Sequence, residues 1–574
     1  MIQYTVSFPQ VNEHYVKVQM HIDVTEKDSI DLVMPVWTPG SYMVREFAKN
    51  VDRFTADAPW KKTNKCTWTV DTSELEVLVV DYDVYAFEIS VRHSYVDAHW
   101  AFLHGVSVFM YVAGQEDEDI ELNINPFSAW KDVEVALPKI RQRKHSYSCV
   151  NYDLLVDSPI ALGNFDSGTY ESGKVEHKVV MIGDGNYNME KILSDFKLIS
   201  DVEVDLIGEQ PSEPLYIHFI LNVEKGRGGL EHLNCQTSMM ERWSYLTEDK
   251  YENFLGLIAH EYFHLWNIKR IRPLELGPFD YTKENYTEQM WVAEGITSYY
   301  DDKVLHRAGL WDEEKYFKAL CKDINFLENS PGKTRMSLSE SSFNAWIRQY
   351  YQNENTRNVT VSYYNKGSVV ATLLDLEILH RTGGSKGLDD LMRTLYQNFY
   401  KVLDRGFSAD EFARTLEGVA GSDFADFLQE MVYSANQINY ERYFGYVGYE
   451  LVNKKTDNPE PWLGVEVVQD KDKSRITVVY SNGPAAQAGL SVNDRVLSIN
   501  GWQIAEFTVD VVQYFGVGEQ MLVEVSRNGK ILNIPITLEP DPNVEYELKS
   551  VEKPSKTQLK LRAQWLQQFV REEV

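Results

Sequence analysis

The stretch "LIAHEYFHLWNIKRIRP" (257–273) sets His260 and His264 four positions apart, with Glu261 directly after the first. On a helix, positions i and i+4 lie one turn apart on the same face. Two imidazole nitrogens so placed suit one tetrahedral zinc ion at about 2.0–2.1 Å. Glu261 falls beside such an ion without ligating it, where a carboxylate serves as general base toward a metal-activated water. Leu257 and Ile268 extend the stripe, so a buried helix is expected over 249–270. Two histidines in a helix are also compatible with an ordinary core, and a third ligand decides between the readings. "MWVAEGITSYY" (290–300) supplies one: Glu294 completes a His₂Glu set, and Gly295 beside it is expected to let this helix and the histidine helix approach closely.

Other residues with chemical potential carry less. Ser385 in "GGSKG" fits GxSxG by spelling, but a helical segment precedes it where a nucleophile elbow needs a strand. Lys269, Arg270 and Arg272 follow the histidine helix and suit either substrate binding or pairing with carboxylates. "EDEDIE" (116–121) lacks the spacing and glycine of a calcium loop and reads as a solvated turn.

Elements of three kinds must position these residues. The first ~185 residues read as β: "YVKVQMHIDV" alternates Val16, Val18, Met20, Ile22 and Val24 on one face. From 186 to 452 the period turns helical, with one strand, "LYIHFIL", leading into the glycine-rich "EKGRGGLEH". Helices are expected over 249–270, 286–308, 312–328, 364–381, 386–400 and 408–435. After the linker "NKKTDNPEP", residues 460–540 carry five short strands, and 541–574 end in a tail helix. The fold class is therefore multidomain α+β, and 574 residues comfortably hold three domains.

"HEYFH" followed by "WVAEG" resembles the gluzincin metallopeptidases, and "LWNIKRIRP" narrows the resemblance to the glycyl aminopeptidase family. "LVMPVWTPGSYMVREFAKNV", "GGLEHLN" and "WLGV" extend the likeness over nearly the whole chain. It implies a β-rich N-terminal domain, a thermolysin-like catalytic domain and one zinc ion held by His260, His264 and Glu294. It further implies aminopeptidase activity that prefers N-terminal glycine and alanine. "GGLEH" sits where related enzymes have an edge strand whose glutamate receives the substrate's α-amino group. Glu231 matches that glutamate, with Gly228 and Gly229 lining the substrate, while His232 departs from the usual asparagine. "YYNKG" resembles the helix start whose tyrosine faces the zinc. Tyr364 matches it, and Tyr363 is the competing candidate.

Residues 461–504 resemble a PDZ domain, and Trp462, Leu463, Gly464 and Val465 match its carboxylate-binding loop. Such a domain binds a chain terminus as an added strand. Two alternatives stand beside the zinc aminopeptidase: a zinc endopeptidase of the same clan with a structural Glu231, and a PDZ peptide-binding protein whose metal site is not catalytic.

A net charge of −29 argues against nucleic acid and an anionic membrane as main partners, because both repel an acidic surface. Cys66, Cys149, Cys235 and Cys321 are scattered without a CxxC pair, no leader-like start is visible, and no stretch of about 20 apolar residues occurs. A cytoplasmic setting is the expectation from these features.

Overall fold

The computed structural model describes residues 1–212, 215–455, 459–470, 473–504 and 509–569. Its N-terminal domain is built on a six-stranded sheet in the order Ser146–Cys149, Ile120–Asn125, Ile2–Gln10, Tyr15–Asp23, Val77–Tyr85, Val51–Ala56. The alternation read from the sequence is realised: Val16, Val18, Met20 and Ile22 are all fully buried. Two loops leave this domain toward the second. Trp37 donates its Nε1 hydrogen to the Asp280 carbonyl at 2.8 Å, and Arg92 reaches the Gly229 carbonyl at 3.2 Å.

The second domain has a five-stranded sheet in the order Asp166–Ser172, Val175–Ile182, Tyr216–Val223, Cys235–Glu241, Gly228–Glu231. Its first two strands were assigned by period to the N-terminal domain, so a division at 185 cuts through one sheet. Alternation alone does not say which sheet a strand joins. Gly228–Glu231 is the edge strand, antiparallel to its neighbour with Gly229 opposite Ser238 and Glu231 opposite Gln236. The glycine-rich segment thus ends as a strand.

The histidine helix spans Glu248–Phe263 and ends with His264 as its C-terminal cap. It stops seven residues short of the expected 270. Asn267 pairs with Ile271, and Ile268 sits at φ +104°, outside any helix. The buried stripe therefore includes Leu257 but closes at His264, with Ile268 in the following turn. Glu294 lies in a wide turn of π-helix, Trp291–Gly295, that runs directly into the helix Ile296–Arg307. Gly295 does permit a close approach, but to another helix than expected. A Cβ on it would lie 2.5 Å from Cα of Gly367 in the helix Asn365–Arg381. Ser385 is in the turn after that helix, its hydroxyl bonded to the Thr382 carbonyl.

The chain leaves the second domain through Tyr449–Asn453 and returns through Tyr546–Ser550, and these two strands pair antiparallel. The PDZ-like unit is thus inserted between paired strands and has its own core, including Leu463, Val465, Ile476 and Met521. Asn358 of the second domain ties it down, accepting from Ser481 N at 2.8 Å and donating to the Val479 carbonyl at 2.9 Å. The tail helix, Lys556–Trp565, docks on the second domain with Trp565 buried. Lys303 donates to the Trp565 carbonyl, and Phe569 N donates to the Arg307 carbonyl at 2.9 Å.

Candidate active site

His260, His264 and Glu294 converge. Glu294 Oε2 lies 3.2 Å from His264 Nε2 and 3.5 Å from His260 Nε2, and the two Nε2 atoms are 3.2 Å apart. That oxygen is buried and receives no well-directed hydrogen bond. The far ring nitrogens are occupied: His260 Nδ1 donates to Asp301 at 3.2 Å, and His264 Nδ1 donates to the Asn267 carbonyl at 2.8 Å. Fixing Nδ1 this way aims Nε2 at a common point, as ligating histidines require. Ligand atoms of all three residues fall within 4.8 Å of one another, so the donor set fits a zinc ion.

The electrostatics agree. Burial pulls His260 down, but Asp301 and Glu294 outweigh it and hold its pKa well above the ordinary imidazole range. His264 is raised too, with Glu294 and Glu231 overcoming burial. Burial likewise opposes ionisation of Glu294, and the two imidazoles overcome it, holding the carboxyl low at about 2. The pocket is arranged for positive charge, and a dication taking both Nε2 atoms displaces the protons.

Glu261 is pushed up to about 7 by burial; the two histidines oppose this, and Glu231 and Glu294 add to it. Gly229 makes room for the Glu261 carboxylate: a Cβ there would lie 1.9 Å from Glu261 Oε1. Glu231 is buried, and its carboxylate shares a 4.8 Å cluster with those of Glu261 and His264's ligand atom. Gly40 from the N-terminal domain, at φ +80°, packs against it so tightly that a Cβ would lie 2.5 Å from Glu231 Oε1. Tyr364 lines the same cleft of about 260 Å³, its ring 6.3 Å from that of His260. Tyr363 is buried away from the cleft with its hydroxyl unpartnered.

Several contributors were not read from the sequence. Asp301 follows Glu294 by seven residues, two turns on along the same helix face, and that spacing could have revealed it. Asn267 donates to the carbonyls of Val292 and Ala293 at 2.8 and 3.0 Å, holding the wide turn that carries Glu294. Gly40 and Arg92 come from another domain and leave no local signal. The basic run is engaged by partners within the chain. Lys269 pairs with Asp157 at 2.8 Å, Arg270 donates to the Leu233 and Leu265 carbonyls, and Arg272 donates to that of Leu276.

In the inserted unit, Gly464 takes φ +79° beneath the Trp462 ring. The carbonyls of Leu463 and Gly464 accept from Ala485 N and Tyr480 N at 3.0 and 2.9 Å. Val465 opens the strand Val465–Asp470, which is an edge of its sheet among the described residues.

Residues 3–164 match the Peptidase M61 N-terminal domain, residues 253–370 match M61 glycyl aminopeptidase, and residues 461–538 match a PDZ domain. An aminopeptidase N family protein from Idiomarina loihiensis is similar over 99% of this chain and 100% of its own, at 30% identity and a TM-score of 0.91. The chain belongs to the glycyl aminopeptidase family.

Yeast LTA4 hydrolase in complex with bestatin is a more distant structure, 14% identical over 78% of this chain and 69% of that one, with a TM-score of 0.48. A Pseudomonas putida protein named "Probable periplasmic serine endoprotease DegP-like" is 36% identical over 102 residues, 15% of this chain. The chain spans about a fifth (21%) of the length of that curated relative. Such relatives overturn the expected cytoplasmic setting, because the proteins matched are named as periplasmic. The features behind the expectation do not specify a compartment. The four cysteines are buried and free, and among the described residues no helix is long and apolar enough to cross a membrane.

Proposed function

We propose that this member of the family is a zinc-dependent aminopeptidase that removes a small residue, glycine or alanine above all, from peptides with a free amino terminus. The observation that carries the reading is Glu231, a buried carboxylate clustered with Glu261 and His264. A carboxylate at that distance accepts an α-ammonium and leaves room for one residue before the reacting carbonyl.

Zinc held by His260, His264 and Glu294 would act as a Lewis acid on the first peptide carbonyl and on water. Glu261 takes a proton from the attacking water and passes it to the leaving amine. Glu231 holds the α-ammonium, and Gly228 and Gly229 present backbone to the substrate chain. The Tyr364 hydroxyl donates to the oxygen that gains charge, a contribution commonly worth about 2.7–4 kcal/mol. Gly40 packs directly on the Glu231 carboxylate at one wall of the cleft, and the preference for a small first side chain is what the family likeness supports.

For the inserted unit, the proposed partner is a chain terminus added as a strand along Val465–Asp470, with Trp462, Leu463, Gly464 and Val465 at its carboxylate.

The test is chromophore release from glycyl-p-nitroanilide beside its N-acetylated form, with and without chelator. Chelator-sensitive cleavage of the free amine alone is expected. Cleavage of the capped substrate would favour an endopeptidase.

A further inference from the structure

The cleft contains a cation that the proposed chemistry does not use. Arg92 projects from an N-terminal-domain loop into the wall formed by Gly228, Gly229 and Glu231. Its Nη2 donates to the Gly229 carbonyl at 3.2 Å, and its Nη1 lies 3.6 Å from where a Cβ on Gly228 would sit. The neighbouring His93 Nδ1 lies 2.9 Å from Glu88 Oε1. Arg92 itself forms no ion pair among the described residues, and its Nε is buried without a partner. Arg45, close by, is pushed down to about 10 by burial and then by the charge of Arg92. In a chain of net charge −29, a guanidinium that faces the cleft without an ion-pair partner among the described residues is conspicuous.

Its position along the edge strand gives it a use. The strand runs from Gly228 to Glu231, and a substrate whose ammonium sits on Glu231 extends back past Glu261 toward Gly229 and Gly228. Gly229 and Glu231 are two residues apart, about 6.6 Å along a strand. An extended dipeptide spans a similar ~6.6–7.2 Å from amine to carboxylate. Arg92 also caps the Gly229 carbonyl, which a longer peptide would need for strand pairing. Arg227, at the exposed rim beside Gly228, adds a second positive charge at the same end.

We propose that Arg92 binds the free α-carboxylate of a dipeptide, so that the cleft recognises both ends of its substrate and the enzyme is adapted to dipeptides. The proposal rests on the aminopeptidase reading for the direction of the substrate. A guanidinium fork matches a carboxylate with two parallel hydrogen bonds.

The test is calorimetric binding to zinc-loaded Glu261→Gln protein, in which turnover is blocked, using Gly-Ala and Gly-Ala amide. Gly-Ala is expected to bind about tenfold more tightly or better, the range of a charge-assisted bond. Arg92→Gln should bring the acid-to-amide ratio toward one, and Arg92→Lys should restore part of it. Equal affinity for acid and amide, or no binding of either, overturns the proposal. Neither readout needs turnover, so hydrolysis of acetylated and free substrates by the unmodified enzyme judges the aminopeptidase reading separately.

Discussion

Gly229 on the edge strand lies directly against the carboxylate of Glu261, with no room between them for a methyl group. A Cβ there would fall 1.9 Å from Oε1 and 2.2 Å from Cδ, so either the carboxylate or the strand must move. Displacing a reacting group by about 1 Å costs on the order of 10²-fold in rate. Gly229→Ala should therefore lower kcat by about that factor while far-UV circular dichroism stays unchanged. Gly256→Ala, on the histidine helix with its nearest neighbour 3.9 Å away, should be nearly silent. Normal turnover by Gly229→Ala would show that Glu261 does not work from this position.

Asp301 holds His260 by its Nδ1 hydrogen. Losing the partner that orients a ligating imidazole typically weakens a metal 10–100-fold. Asp301→Asn should loosen zinc by about that factor in competition with a chromogenic chelator. An unchanged zinc affinity would mean that ring packing alone orients His260.

The division between what was legible and what was not follows chain distance. His260, Glu261 and His264 share one helical turn, and Glu294 sits in a local WVAEG pattern, so short-range spacing carries them. The end of the histidine helix was overestimated because the apolar period continues through Ile268. Where the helix stops, His264 Nε2 faces Glu294 and Asn267 donates to the Val292 carbonyl of the wide turn. Gly40 and Arg92 lie more than 130 residues before the groups they touch, and although Gly40 falls in a stretch that carries the family likeness, nothing local ties either residue to the site. The insertion of the PDZ unit was hidden for the same reason: Tyr449–Asn453 and Tyr546–Ser550 pair across 92 intervening residues, while alone they read as the end of one domain and part of a tail.

Lys269 and Asp157 form a largely buried pair that also receives Leu233 N at 2.7 Å and His232 Nδ1 at 3.1 Å. Burial opposes the charge on Asp157, but Lys269 and His232 outweigh it and bring the carboxyl down to about 2. Its folded pKa is below the unfolded one, so its contribution is complete above pH ~4 and is lost as pH falls toward 2. Removing one partner of a buried pair costs about 3–5 kcal/mol. Lys269→Met should lower stability by about 3 kcal/mol at neutral pH in denaturant titration. It should also raise KM, because His232 and Leu233 directly follow Glu231. Wild-type stability in this variant would show that the pair is solvated.

Lys303 is fully buried beneath the tail helix, donating to the Trp565 carbonyl. Burial pushes its pKa down to about 7, from an ordinary value of 10.5. Between those values the unfolded chain binds more protons than the folded one, so stability rises with pH across the window. Below pH 7 the full cost of charging a buried amine is present. The slope from this one group approaches 1.4 kcal/mol per pH unit in the middle of the window. Subtracting the denaturant stability of Lys303→Met from that of the wild type at pH 7, 8 and 9 isolates it, with the difference shifting toward the wild type as pH rises. Parallel pH profiles would mean that Lys303 keeps its charge in the folded protein and that the tail helix docks over a protonated amine.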